Sequence, residues 1–460
     1  MKTMRSHVFA AVACTVAVFL AAGPASHAVE EGAGDKQLSV AKRFGDDLGA
    51  GRYKKACENF DATMKGAMPP DRLASMWKGL EGQLGAFKSF GPSVYTKRPD
   101  NDYVVMETKF EKQTVWIRLV FDRQARIAGL WVDPSPKSQT PDGAAAAAGY
   151  KLPKYADENK YAEEPAAFGP EEWRARGLLT IPRGEGRVPA VVLVHGSGPH
   201  DEDETIGPNK PFKDLAAGLA SRGIAVLRYR KRTYAYRMRL AAEGRITIRE
   251  EVVDDALEAL KYVRAHPRVN PDRVFVVGHS LGATMTPQIA REDGKVAGAV
   301  LFAGTARDLT DVLLEQLAYI ASLPLPNQAD NQKLYDEALA TILKVRNKEL
   351  GEDARLLNVP LAYWNEVGEA AGRSLQIAKE LKCRLLIASG GRDYQVTRKD
   401  FDLYKRELKG RPNVTLKWFK QCNHLFFGGR EMSTPQEYSQ PGHVDGKVVK
   451  YLADWILEDE

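Results

Sequence analysis

The sequence predicts an α/β protein. A doubly wound, mostly parallel sheet is expected over residues 171–460, with a helical cap insertion at about 306–380 and a small α+β domain before it at 35–133. Three observations carry that reading. Beyond Glu171, short apolar runs such as "AVVLVH", "IAVLRY" and "AGAVLF" alternate with helix-patterned stretches such as Phe212 to Arg222 and Ile248 to Ala265. Strands apolar on both faces are covered by helices on both sides, and such alternation implies right-handed crossovers and a parallel sheet. The rhythm then breaks between "AGAVLFAG" and "CRLLIAS", where helix-prone text such as "LTDVLLEQLAYIASL" intervenes; inserted at the carboxyl end of a strand, it would overhang a site, with "VPLAYWNEV" near its rim. Finally, "DPSPKSQTPDGAAAAAG", Asp133 to Gly149, is poor in large apolar residues and divides two differently patterned halves, which places a linker at 134–160.

In chain order, "MKTMR" is positively charged, "VFAAVACTVAVFLAAG" is apolar and "ASHAVEEG" closes on a small-x-small pattern. These are the three parts of a secretory signal peptide, residues 1–28, with cleavage after Ala28. The apolar run is too short for a membrane span, so the mature chain is expected to be exported, periplasmic or extracellular, without a span. From Asp35 to Phe60 apolar residues recur at helical spacing around a glycine break, and Pro70 to Leu80 fits a second helix. The strand-like runs "AFKSFGPSVYTKR", "DYVVMETKF", "TVWIRLVFD" and "RIAGLWVD" follow, spaced as an antiparallel meander packed on those helices. Trp77, Trp116 and Trp131 are read as its core. This domain is also the part expected to bind a ligand or partner.

Charged residues make up 27% of the chain and the formal net charge is +6. No zinc spacing or RNA-binding signature accompanies that balance, so no nucleic-acid partner is expected. Cys57, Cys383 and Cys422 remain after the leader, an odd number. Cys383 should open one strand and Cys422 follow the end of the next. Strands span roughly 20 Å while a bridge needs Cα atoms within about 7 Å, so no disulfide between them is expected.

The chemistry starts at "VFVVGHSLGAT", Val274 to Thr284. A strand feeds Gly-His-Ser-Leu-Gly and a helix follows. That is the setting in which a sharp turn exposes a serine at the top of a sheet. Ser280 is therefore the candidate nucleophile, and His279 packs beneath the turn. A serine hydroxyl needs a base, oriented in turn by a carboxylate. "LLIASGGRDYQVT" supplies Asp393 just past one strand and "LKWFKQCNHLF" supplies His424 past the next, in the order this arrangement requires. Asp308, also past a strand end, is the competing acid, and His443 reads as a surface or helix-capping residue. Backbone donors for a developing oxyanion are expected from Leu281, at a helix N-terminus, and from Ser197 in the glycine-rich turn "HGSG". The runs "HDEDE" and "RYRKR" read as solvated faces whose position at strand ends allows a salt-bridged rim. Neither has the His/Cys spacing of a metal site, so no metal is assigned.

"VLVHGSGPHDEDETIGPNKPF", "GIAVLRYRKRT", "VFVVGHSLGA", "GGRDYQVT" and "NHLF" together resemble the α/β-hydrolase superfamily. More narrowly they resemble exported bacterial serine hydrolases of the dienelactone-hydrolase and acyl-peptidase-like branch, which often carry an N-terminal domain of unknown function such as Lys36 to Val132 resembles. The resemblance covers about Ala190 to the C-terminus. It implies Ser280 as nucleophile, Asp393 as acid and His424 as base, with the oxyanion hole at Leu281 and the His195–Gly196 turn. Arg230 stands where relatives commonly have Asp, and Ala283 where they have a second glycine. The activity implied is cleavage of a small-molecule carboxylic ester through an acyl-enzyme, with no cofactor. A peptidase, acyl-aminopeptidase or thioesterase would use the same residues, and a vestigial, non-catalytic binding or envelope protein is the alternative of another kind.

Overall fold

In the computed structural model, residues 34–97, 102–133, 150–236, 239–240, 246–325, 328–351, 354–357 and 359–458 are described. The leader and residues 134–149 of the linker lie outside them. The chain divides into two compact units, one holding the described part of Ala21–Ala145 and the other that of Ala146–Tyr236 and Ile246–Glu460.

The N-terminal unit is helices followed by a meander. Val40, Ala41, Phe44 and Leu48 recur three or four residues apart and bury one face of α1 (Asp35–Gly49). Helices α2 (Tyr53–Glu58), α3 (Ala62–Ala67) and α4 (Pro70–Leu84) follow. The Asp61 side chain caps α3 by accepting the Met64 N–H, and a proline opens α4 where its missing N–H is of no consequence. Strands β1 (Phe87–Thr96), β2 (Asp102–Phe110), β3 (Thr114–Phe121) and β4 (Ile127–Asp133) pair in chain order, antiparallel throughout.

Two of the three tryptophans read as core are not in it. Trp77 is buried with Phe44, Phe60 and Leu119. Along β3, however, Val115, Ile117, Leu119 and Phe121 form the inward set. With a period of two, Trp116 and Arg118 must face the other side. Trp131, directly opposite Arg118, faces that side too, and the Arg118 guanidinium lies 5.9 Å from its ring centre.

The C-terminal unit is an eight-stranded sheet in the order β14-β13-β10-β9-β7-β8-β6-β5. Its members are β5 (Tyr161–Phe168), β6 (Ala175–Pro182), β7 (Val188–Val194), β8 (Ala225–Tyr229), β9 (Val269–His279), β10 (Gly298–Phe302), β13 (Arg384–Gly390) and β14 (Val414–Phe419). From β8 to β14 every pairing is parallel, while β5 and β6 add an antiparallel edge. Strand β5 lies outside the range read as sheet, because "YAEEPAAF" carries two glutamates and a proline. Those residues suit an edge strand with one solvated side. Residues 150–160, read as the end of the linker, pack on this unit: the Tyr150 hydroxyl donates to Asp214 at 2.5 Å.

Alternation in β9 feeds two cores. Val274 and Val276 join the layer containing α6 (Asp254–Arg264), α7 (Leu281–Asp293) and α10 (Leu361–Glu380). Phe275 and Val277 join the layer of α5 (Pro211–Ala220) and α12 (Gly446–Leu457). Helix α11 (Arg398–Glu407) connects β13 to β14. The insertion is α8 (Leu309–Ser322), α9 (Gln328–Arg346) and a ribbon of β11 (Arg355–Leu356) with β12 (Val359–Pro360), sharing a small core of Leu313, Leu317, Ile342 and Trp364. It ends sooner than expected. Helix α10, the continuation of "VPLAYWNEV", buries Val367, Ala370 and Ala378 in the main core as a regular covering helix. No helix among the described residues is long and apolar enough to cross a membrane.

Candidate active site

The chain runs from β7 to β8 on one side and then returns to β9 on the other side of β7. At such a reversal the connections leaving neighbouring strands diverge and open a crevice at their carboxyl ends. The turn after β7, residues 195–198, and the turn after β9, at Ser280, both fall there.

Ser280 adopts φ 52°, ψ −116°, just before α7. A backbone of this kind costs on the order of 1–3 kcal/mol for a residue with a side chain and persists only when its surroundings enforce it. Here they do: the Ser280 N–H donates to the Phe302 carbonyl at 2.9 Å, and the Ser280 carbonyl accepts the Thr284 N–H at 2.9 Å. Gly282 is required on the following turn, where a Cβ would lie 2.2 Å from the Val194 carbonyl oxygen. The motif therefore lets α7 start hard against the end of β7.

His424 and Asp393 reach the crevice from the loops after β14 and β13. The His424 Nδ1–H donates to Asp393 Oδ2 at 2.7 Å. The other Asp393 oxygen accepts the Gln395 and Val396 N–H groups at 2.7 and 3.0 Å. Both side chains are buried. The loops interlock at Gly390, where a Cβ would meet the Cys422 carbonyl oxygen at 2.4 Å. Asn423, fully buried, shapes the histidine loop by accepting the Leu425 and Phe427 N–H groups at 3.0 Å each.

Ser280 and His424 line one cavity of about 200 Å³, together with Gly196, Ser197, His200, Gln395 and Tyr438 among others. Ser197 lines the cavity, and Leu281 directly follows Ser280 at the start of α7. The Gly196 N–H is already committed to Glu204 at 2.7 Å, and the Leu281 N–H begins a helix, where the first amides have no partner in its ladder. His279 is buried and lines the same cavity. Asp308 is not near an imidazole: it is exposed and caps α8, accepting the Thr310 N–H at 2.9 Å. His443 is half-buried and donates to Asp214 at 3.0 Å.

The charge runs depart most from their sequence reading. Asp201, Asp203, Glu204, Arg228, Lys231 and Arg232 are all buried. Arg228 bonds Asp203 and Glu163; Lys210 bonds Asp203 at 2.8 Å; Lys231 bonds Glu251 at 2.6 Å and the Gly196 carbonyl at 2.7 Å; Arg232 bonds Asp255 at 2.6 Å. Charges can leave water in this way only when opposite charges or hydrogen-bond donors compensate them, and Asp201 is held by the Thr205 N–H at 2.8 Å and the Thr205 hydroxyl at 2.6 Å. Arg230, half exposed, pairs with Glu202 at 2.9 Å. Glu204, Asn423, Gln395 and Tyr438 were not picked out from sequence. The one available signal was that "DEDE" and "RYRKR" follow adjacent strands with complementary charge. Among the described residues no three His, Cys, Asp or Glu side chains group as metal ligands.

Comparison with known proteins agrees with this architecture. Residues 41–130 match a protein family of unknown function, DUF3887. Residues 187–431 match the Hydrolase_4 family, described as serine aminopeptidase, S33. The chain is 38% identical over 413 residues to Esterase EstD of Thermotoga maritima, covering 87% of this chain and 92% of that protein. Among solved structures it is similar to an acylaminoacyl peptidase of Pyrococcus horikoshii, at 14% identity and a TM-score of 0.42, covering 80% of this chain and 56% of that one. It is also similar to Est1E of Butyrivibrio proteoclasticus, at 14% identity and a TM-score of 0.41, covering 64% of this chain and 97% of the other. The chain thus belongs to the Hydrolase_4 (serine aminopeptidase, S33) family of α/β hydrolases and is a hydrolase with a DUF3887 domain before its catalytic unit.

Proposed function

We propose that the protein is an exported serine esterase acting on small carboxylic esters. The observation that carries the reading is the joining of Ser280, on its strained turn, and the Asp393-held His424 in one cavity. In the mechanism, His424 Nε2 takes the Ser280 proton as Oγ attacks the ester carbon, and the imidazolium stays paired with Asp393. The Leu281 and Ser197 N–H groups receive the carbonyl oxygen as it becomes negative. Collapse breaks the ester C–O bond, and His424 returns the proton to the departing alkoxide. Water, deprotonated by His424, then attacks the acyl-enzyme and releases the acid.

Two points favour esters over peptides. EstD, similar along most of the chain, is named an esterase. An aminopeptidase needs a carboxylate free to hold the substrate's ammonium group, and the carboxylate lining this cavity, Glu204, is bonded to the Gly196 N–H and faces His279. A volume of about 200 Å³, below the roughly 300–1,000 Å³ of sites for drug-sized ligands, favours short acyl groups. The thioesterase reading shares every residue and differs only in substrate.

The test is hydrolysis of p-nitrophenyl acetate and decanoate by the mature protein, beside Ser280→Ala and a peptide p-nitroanilide. Turnover of the acetate, little of the decanoate and none of the anilide is the expected pattern. An inert wild type would hand the site to the non-catalytic reading, and an active Ser280→Ala would remove Ser280 as the nucleophile. Export rests on the charged, apolar and small-residue order of residues 1–28, and N-terminal sequencing of secreted protein should begin at Val29.

A further inference from the structure

That mechanism leaves one acid–base pair of the same cavity without a role. Glu204 is 1% exposed and His279 7% exposed, and both line the cavity with Ser280 and His424. Glu204 Oε1 accepts the Gly196 N–H at 2.7 Å. Glu204 Oε2 stands 2.9 Å from His279 Nδ1, off the line of an N–H bond, so the contact is one of charge rather than an aligned hydrogen bond. The other ring nitrogen, Nε2, donates to the backbone carbonyl of His424 at 3.0 Å. The carbonyl oxygen only accepts, so Nε2 carries a proton, and the Glu204 charge 2.9 Å from Nδ1 favours a second proton on that nitrogen. An imidazole with two protons is a cation. Glu204 is itself held at φ +51°, a conformation kept only when the surroundings demand it.

We infer that Glu204 and a protonated His279 are a positioning pair for the reaction, tying the turn after β7 to the backbone of the base. The inference rests on the esterase reading. One carboxylate holds the Gly196 N–H, next to the proposed donor Ser197, and through His279 it holds the carbonyl of His424. Donor turn, nucleophile turn and base loop therefore share a single buried anchor. Neither residue touches the reacting atoms; both act by fixing groups that do.

The groups facing this pair are His195 and His200 from the turn after β7, Lys231 from beyond β8, and Asp393 and His424 from the far loops. Burial alone would strip the proton from His279, but the Glu204 charge outweighs it and holds the ring protonated above the ordinary imidazole range. Burial likewise opposes the Glu204 charge, and His279 and the neighbouring imidazoles bring that carboxyl down to about 2. A histidine raised in this way keeps its proton fully at low pH and loses it only as pH climbs beyond the ordinary imidazole range. The pair is thus dismantled on the alkaline side.

Glu204→Gln keeps the shape and an acceptor for Gly196 while removing the charge. It should lower kcat by about 10- to 100-fold, as loss of positioning does, leave KM within about threefold, and move the alkaline limb of kcat to lower pH. A purely structural loss would lower the melting temperature without moving that limb. An unchanged kcat and an unchanged limb would overturn the inference. Should the variant fail to fold, the wild type decides. A proton–nitrogen titration of histidine-labelled enzyme, with His443→Asn removing the imidazole paired to Asp214, should show one ring that keeps both protons to higher pH than a free imidazole does. No such ring would sink the pair. An inert wild type, or an active Ser280→Ala, would instead fell the esterase reading, and the titration would still report on His279.

Discussion

The core of the N-terminal domain is made of Phe44, Phe60, Ile117 and Leu119, and Thr108 is its one buried polar side chain among the described residues. The catalytic unit has a larger apolar core, yet it also buries Asp203, Glu204, Lys210, Arg228, Lys231, Glu251 and both members of the Asp393–His424 pair. Asp203, Glu204 and Lys210 follow the carboxyl end of β7, Lys231 that of β8, and Asp393 and His424 those of β13 and β14. Taking a charge from water is unfavourable unless a partner compensates. A unit that needed only to fold would manage as the N-terminal domain does. What the polar lattice adds is fixed orientation at the site.

The largest effect that could break this contrast is at the proposed nucleophile. Ser280→Ala should cut kcat by about three to six orders of magnitude, with an unchanged melting temperature. Asp393→Asn should cost on the order of 10⁴ in kcat by favouring the wrong histidine tautomer. Retention of activity in either would show that the buried polar groups serve the fold alone. Next comes the lattice itself. Arg228→Ala leaves Asp203 and Glu163 without their shared cation and should lower stability by about 3–5 kcal/mol in chemical denaturation. Phe44→Ala, a change of similar size in the other unit, should lower the stability of that domain by about 3–5 kcal/mol while ester turnover stays within about twofold, as expected of independent sites. A parallel fall in kcat would erase the distinction between the units. Smallest is Asp308→Ala, which removes a helix cap worth about 1 kcal/mol and should leave the rate unchanged. A hundredfold loss would restore Asp308 as the acid.

Much of the site was legible because its chemistry is written locally. Strand, Gly278, Ser280, Gly282 and helix are contiguous, and Asp393 and His424 follow apolar strands by a few residues. Glu204 was hidden for the opposite reason. It sits in a run of acids that composition assigns to solvent, and its burial depends on the imidazoles of His195, His200 and His279. Strand β5 and Trp116 failed differently. Glu-Glu-Pro does not read as strand unless the edge position is known, and the face of Trp116 follows from a register that Ile117 and Leu119 set together. The end of the insertion was equally unreadable, because α8 and α10 have the same helical pattern and differ only in which core receives them.

Cys57 and Cys422 are free and buried, one in each unit, and burial pushes their thiols up to about 11 and about 12. The reactive form is the thiolate, so neither is open to alkylation while its unit is folded. Each sulfur is thus a silent reporter that speaks when its own surroundings open. Pulse-labelling followed by peptide mapping would time the melting of the two units separately within one intact chain, with no dye or tag added.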